Sequence, residues 1–182
     1  RSSRSSRSSS RTESKAVLRM ETMETHLMKA KQHTLPWNER STKLLVGPMD
    51  LMSNFLRRQY LSVLRKPEYK TLVHIVDTPM ELQQYLKLVG QHRAVLSLPG
   101  RGYDCPRTWE ALALGTVPLV FKDPVYDQRL FAQSGAQYIP ALDDLTVRSL
   151  GRAMTKVQDP GRHSDRLLVS TWADNWRSRF DE

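Results

Sequence analysis

A single cysteine, Cys105, stands in a chain of 182 residues, so no disulfide can close within it and cysteine usage assigns no redox compartment. No grouping of His, Cys, Asp and Glu has metal-ligand spacing. No apolar run reaches the length of a membrane-spanning helix. The chain begins with Arg1 rather than Met and has no apolar signal-peptide core, a pattern expected of a fragment or processed product. Acidic residues are the minority, 19 against 28 Lys and Arg, for a formal charge of +9. Such an excess points to an anionic partner: nucleic acid, membrane headgroups, or a phosphorylated or sulfated small molecule. Part of it belongs to one end. Residues 1–30 hold seven Lys or Arg and three Glu, which leaves +5 for the rest.

Hydrophobic content of 39% with 26% charged residues fits a globular chain with room for one ordinary domain plus tails. Residues 1–11 are a Ser/Arg repeat with nothing to bury, expected to be disordered. Residues 12–31 carry Val17, Met20, Met23, Leu27 and Met28 at rough helical spacing, which predicts a peripheral helix. The division expected is therefore an arm and helix over 1–35 and a folded domain over 36–182. After Pro36 strands and helices alternate. Strands are predicted at Lys43–Val46, Thr71–Val76, Ala94–Ser97, Val117–Phe121 and Gln137–Ile139. Helices are predicted at Ser53–Leu64, from Asp77-Thr78-Pro79 to a stop at Gly90, at Pro106–Leu114 with Gly115 just beyond, and at Gln128–Ser134, Leu145–Gln158 and Arg162–Phe180. Such alternation implies βαβ units in an α/β, Rossmann-like, doubly wound parallel sheet.

Ligands of such sheets bind outside the carboxyl ends of the strands, where loops meet helix N-termini. The segment from Ser97 to Val120 has that layout. Gly100 and Gly102 can take positive φ and let backbone N–H groups approach a ligand. Asp104 or Cys105 can cap the helix that Pro106 opens. Arg107 in its first turn offers a bidentate fork for phosphate. Glu110 lies three residues on, with a carboxylate suited to a ribose diol. Plainer roles fit the same residues: an Arg107–Glu110 surface pair, Asp104 as a cap alone, Trp109 in the core, Cys105 as a small half-buried side chain with no His near it in sequence. The Gly-Arg-Gly lacks the third glycine of a dinucleotide fingerprint, and no Walker lysine motif is present. Spacing alone supports an anion site without naming its chemistry.

The run from Asp104 to Val120 resembles the C-terminal, donor-binding half of exostosin-like glycosyltransferases. Pro106, Arg107, Glu110, Ala111, Gly115, Val117 and Pro118 fall on that family's Pro-Arg-x-x-Glu-Ala-x-x-x-Gly-x-Val-Pro-Val pattern. Glu39-Arg40, Leu44–Gly47 and Arg57-Arg58 are similar to its arginine, apolar strand, glycine and helix-borne arginine. Trp172 and Trp176 are similar to its closing aromatic helix. The resemblance spans Trp37 to Phe180 and implies the Rossmann-like C-terminal half of a GT-B architecture. It implies a nucleotide-sugar ligand, UDP-linked first of all, and no metal or cofactor. Glu110 would hold the ribose, while Arg107 and the loop Gly100–Asp104 approach the diphosphate. Arg57 or Arg58 would add a second positive charge; both flank the stripe of Leu56, Tyr60 and Leu64, and the sequence does not choose between them. The sugar acceptor would be a glycan or glycoprotein, the setting the Golgi or another secretory-pathway membrane. A GT-B enzyme needs two facing domains, and this length holds one, so an N-terminal half or partner chain is expected, or acceptor chemistry has been lost. The acceptor base stays unassigned, with His74 and Asp77 as positional candidates. Two rivals remain: a catalytically inactive nucleotide-sugar-binding or scaffolding domain, and an RNA-binding protein using the Ser/Arg arm. Against the second, aromatics do not interleave with the basic residues as in single-strand binders.

Overall fold

The computed structural model describes residues 23–102, 105–123, 131 and 134–160. Continuous apolar runs form the central strands. Leu44, Leu45, Val46, Ala94, Val95 and Leu96 are fully buried, as both faces of a strand must be when helices cover both sides of a sheet. They lie in β1 (Ser41–Val46) and β3 (His92–Ser97). Around them stand β2 (Val73–Ile75), β4 (Val117–Val120) and β5 (Gln137–Tyr138). Every pairing is parallel, and the order across the five-stranded sheet is β2-β1-β3-β4-β5. This is the Rossmann-like α/β fold that the alternation predicts.

The helices are α1 (residues 23–31 as described), α2 (Phe55–Leu64), α3 (Leu82–Val89), α4 (Pro106–Ala113) and α5 (Val147–Thr155). Alternate strand residues face opposite layers. Leu44, Val46, Ala94 and Leu96 pack with Tyr60, Leu61 and Leu64 of α2 and Leu150 of α5. Leu45 and Val95 pack on the other side with Ala30, Tyr85, Leu86, Val89 and Ala111. Each fully buried Leu or Val contributes about 1.5–3 kcal/mol relative to exposure, so the two layers are what hold the sheet. The chain leaves β1 toward β2, then returns across β1 to β3. Strand order therefore reverses between β1 and β3, the switch point at which ligands of such sheets bind.

Some boundaries differ from expectation. The strand predicted from Thr71 starts at Val73, because a tight turn carries on to Leu72, whose N–H donates to Tyr69 O at 2.8 Å. The helix predicted from Asp77-Thr78-Pro79 begins at Leu82, since the chain stays extended through Glu81 (φ −62, ψ 145). Helix α5 starts at Val147 rather than Leu145. Thr146 and Ser149 close a reciprocal cap there, Ser149 N–H to Thr146 Oγ1 at 3.0 Å and Thr146 N–H to Ser149 Oγ at 2.8 Å. The Ser/Arg arm, the helix predicted at Arg162–Phe180 and most of that at Gln128–Ser134 lie outside the described residues. Among the described residues, no helix is long and apolar enough to cross a membrane.

Candidate functional site

The loops that follow β1 and β3 meet at the switch point, and arginine from α2 binds them together. Arg57 is 7% exposed. Its Nε donates to Pro99 O at 2.9 Å, and Nη2 donates to Leu98 O at 3.1 Å and faces Cys105 Sγ at 3.8 Å. Nη1 donates to Asp50 O at 3.2 Å and Ser53 Oγ at 2.9 Å. A guanidinium has five N–H groups, and these contacts occupy all of them. Burial lowers the Arg57 pKa, and nearby Cys105 works in the opposite sense. Arg57 thus holds the loop and has no donor left for a ligand, whereas Arg58, its neighbour, is exposed on the surface of α2.

Asn54 joins the same loops. Its Oδ1 accepts from Leu56 N–H at 3.0 Å, capping α2, and its Nδ2 donates to Gly100 O at 3.1 Å. Gly100 is glycine for room: a Cβ there would stand 2.9 Å from Arg57 Nη2. Neither Gly100 nor Gly102 has positive φ, contrary to the expectation from sequence, and a Cβ at Gly102 would meet nothing within 4 Å. The glycine of this segment that does need positive φ is Gly115 (φ +64), which ends α4 as expected. Asp104 lies outside the described residues, as does Tyr103.

Helix α4 has Pro106 in its first turn and Cys105 at the cap position, with no side-chain cap bond from Cys105. Ser97 Oγ and Thr108 Oγ1, 2.8 Å apart, fix the helix to β3. With Thr108, Ala111 and Leu112 buried, Arg107 and Glu110 come to the side facing α3 and the end of β1. Arg107 Nη2 donates to Pro48 O at 2.6 Å, and the guanidinium lies over the Tyr85 ring at 5.1 Å. Its Nε and Nη1 are buried without a hydrogen-bond partner. Burial raises the Glu110 pKa above the ordinary carboxylate value, and the positive charge of Arg107 opposes that shift. The two side chains sense each other but form no ion pair with one another, so the plain surface pair is not what the fold makes of them.

Tyr85 falls within the helix that the sequence places between Pro79 and Gly90, and no site role is read for it there. It is buried, and its Oη has no hydrogen-bond partner. The one available signal was its residue type, since a tyrosine on a core stripe must take its hydroxyl somewhere. The positional base candidates are occupied elsewhere. His92 Nδ1 donates to Leu88 O at 2.9 Å, which leaves His92 Nε2 to accept from His74 Nδ1 at 2.9 Å. Asp77 Oδ1 accepts from Arg65 Nη2 at 2.7 Å.

The far end of α4 is held by a different arginine. Arg40 Nη1 donates to Gly115 O at 2.6 Å and to Thr116 Oγ1 at 3.3 Å, and its Nη2 donates to Leu114 O at 3.2 Å. Its Nε donates to Leu35 O at 2.8 Å, and Trp37 lies beneath the guanidinium at 5.6 Å. The cation suits the negative end of the helix dipole. Among the described residues, no group of three or more His, Cys, Asp or Glu is placed to hold a metal ion. The edge at β1 and β3 can therefore offer a ligand one incompletely bonded cation, a desolvated carboxyl group and a helix start. The chain matches no protein-family model and no curated protein.

Proposed function

We propose that this chain is the donor-binding domain of an exostosin-like glycosyltransferase and holds a nucleoside diphosphate sugar, UDP-linked first of all, at the switch point between β1 and β3. The observation that carries the reading is Arg107, with Nε and Nη1 buried and unpartnered at the carboxyl edge of the sheet. Unpaired buried donors cost roughly 1–3 kcal/mol each, and a diphosphate oxygen offsets that cost by accepting from them. Glu110, on the same side of α4, accepts from the two hydroxyls of a ribose. Its partial desolvation suits it to polar groups that enter with a ligand.

Transfer of the sugar leaves negative charge on the departing diphosphate. Arg107 and the N-terminal end of α4 stabilise that charge where it develops. Arg57 serves the same end indirectly, by fixing the loop from Leu98 to Gly100. The acceptor, a glycan or glycoprotein, would be received by an N-terminal half or partner chain in a Golgi or related secretory membrane. A catalytically silent nucleotide-sugar-binding domain is the second reading. It is favoured by the engagement of His74 with His92 and of Asp77 with Arg65, which commits both positional base candidates elsewhere.

Titration calorimetry with UDP and GDP tests the binding common to both readings. Wild type is expected to bind UDP, and Glu110→Ala to lose that binding while melting cooperatively. Silence of the wild type toward both nucleotides ends the proposal. Sugar transfer by the chain alone would eliminate the silent domain.

A further inference from the structure

Among the described residues, buried tyrosines bring their hydroxyls to partners, with one exception. Tyr60 Oη donates to Pro140 O and Tyr69 Oη donates to Leu145 O, each at 2.8 Å. Tyr85, 6% exposed, has no partner for its Oη. Its ring presses on the backbone where β1 ends, for a Cβ at Gly47 would stand 2.8 Å from Tyr85 Cε2. The next residue is Pro48, whose carbonyl holds Arg107 Nη2 at 2.6 Å. The Arg107 guanidinium lies over the same ring. Three buried atoms that complete no hydrogen bond, Tyr85 Oη and Arg107 Nε and Nη1, are thus gathered beside the end of β1, near enough that the Arg107 guanidinium acts on the Tyr85 hydroxyl against the effect of its burial. All three can donate, and one group carries a positive charge.

Leaving such donors unpaired forfeits the solvation each had in water. A neutral carbonyl would satisfy one of them, whereas a tetrahedral oxyanion offers several acceptor oxygens and a matching charge. We infer that Tyr85 and Arg107 form an oxyanion subsite beneath the switch point that takes one phosphate group, with Tyr85 as a ligand-binding residue on α3. The inference rests on the proposed nucleotide reading for what carries the phosphate, and on the unpaired donors for the phosphate itself. Gly47 belongs to the device because any larger residue displaces the ring.

Titration calorimetry of the full chain with inorganic pyrophosphate and with UDP, on wild type and Tyr85→Phe, tests this. The phenylalanine keeps the ring and removes the hydroxyl. Loss of a hydrogen bond to a charged group predicts roughly 10- to 100-fold weaker binding of both probes, with a melting temperature equal to or above that of wild type. Equal affinity for both probes in the two proteins, with a raised melting temperature, overturns the subsite and leaves the nucleotide reading standing. Pyrophosphate binding that weakens in Tyr85→Phe, without UDP binding in either protein, supports the subsite and removes the nucleotide. Wild type that binds neither probe overturns both. Gly47→Ala is the independent variant: it is expected to weaken pyrophosphate binding by displacing the ring, and unchanged affinity in a folded Gly47→Ala protein counts against the subsite.

Discussion

Two arginines grip opposite ends of the same helix and are spent in opposite ways. Arg40, at the end of α4, gives hydrogen bonds to Leu35, Leu114, Gly115 and Thr116. Arg107, at its start, gives one to Pro48 and keeps Nε and Nη1 unpaired. Both lie against an aromatic ring. The difference is in what surrounds the guanidinium. Arg40 meets the carbonyls that a helix leaves open at its C-terminus, so its environment is rich in acceptors. Arg107 stands at a helix N-terminus, where the open backbone groups are donors. A cation at that end has few acceptors unless something brings them. Arg57 belongs with Arg40, since its donors are all taken up by loop carbonyls and neighbouring side chains. A saturated arginine is structural, whereas an unsaturated one at a strand edge keeps donors that the fold itself does not use.

That contrast can be broken by truncating each side chain in turn. Arg40→Ala is expected to have the largest effect on folding, a loss of about 3 kcal/mol, because three backbone carbonyls and the Thr116 hydroxyl lose a charged donor together. UDP affinity should stay near that of wild type. Arg107→Ala is expected to do the reverse. It surrenders one hydrogen bond and one ring contact while removing two unpaired donors, so urea unfolding should shift little. UDP affinity should fall on the order of 100-fold, as for removal of a preorganised charge-stabilising donor. Should Arg107→Ala unfold the chain as readily as Arg40→Ala, the two arginines are of one kind and the distinction is lost.

The loop offers a smaller version of the same test. Gly100→Ala drives a Cβ to 2.9 Å from Arg57 Nη2, and forcing extra volume into a packed site costs about 1–3 kcal/mol. Gly102→Ala enters open space and should change stability by about 0.5 kcal/mol or less. Thermal melting of the two variants side by side checks the ranking. The pair also marks where sequence reasoning stops. Both glycines invite the same inference about backbone freedom, yet one is required by a side chain from another helix and the other by nothing within reach.

Elements were legible wherever their signal was local. The runs at Leu44–Val46, Ala94–Ser97 and Val117–Val120 have one sensible fate in an alternating chain, and Gly115 ends α4 as its position suggests. The start of α3 lies beyond the place the sequence suggests, because a proline near a helix does not say how far the preceding loop stays extended. The choice between Arg57 and Arg58 was closed to sequence for a physical reason. Adjacent residues flank one helical stripe on either side, and only the course of the loop after β3 decides which is drawn inward. Arg40 reaches carbonyls more than seventy positions away along the chain, a pairing that no spacing rule contains. Tyr85 was visible as a ring, while the isolation of its hydroxyl was not.

Glu110 sharpens the comparison from the side of the anion. Burial raises its pKa above the ordinary value of 4.5, and Arg107 pulls the other way. A carboxyl group with a raised pKa binds its proton more tightly in the folded state than in the unfolded one. Its contribution to stability is therefore complete below the unfolded value and is lost as pH rises through the folded value. Burial penalises the carboxylate form that rising pH favours. Glu110→Gln removes that charge, so it should melt above wild type at neutral pH, and the gap should close in acid, where both side chains are uncharged. Melting curves from acid to neutral pH measure it. A glutamine variant that melts lower at neutral pH would mean that attraction to Arg107 outweighs desolvation. Arg107 would then be spent on Glu110 as Arg40 is spent on its carbonyls, and the start of α4 would hold an internal ion pair where we place the phosphate.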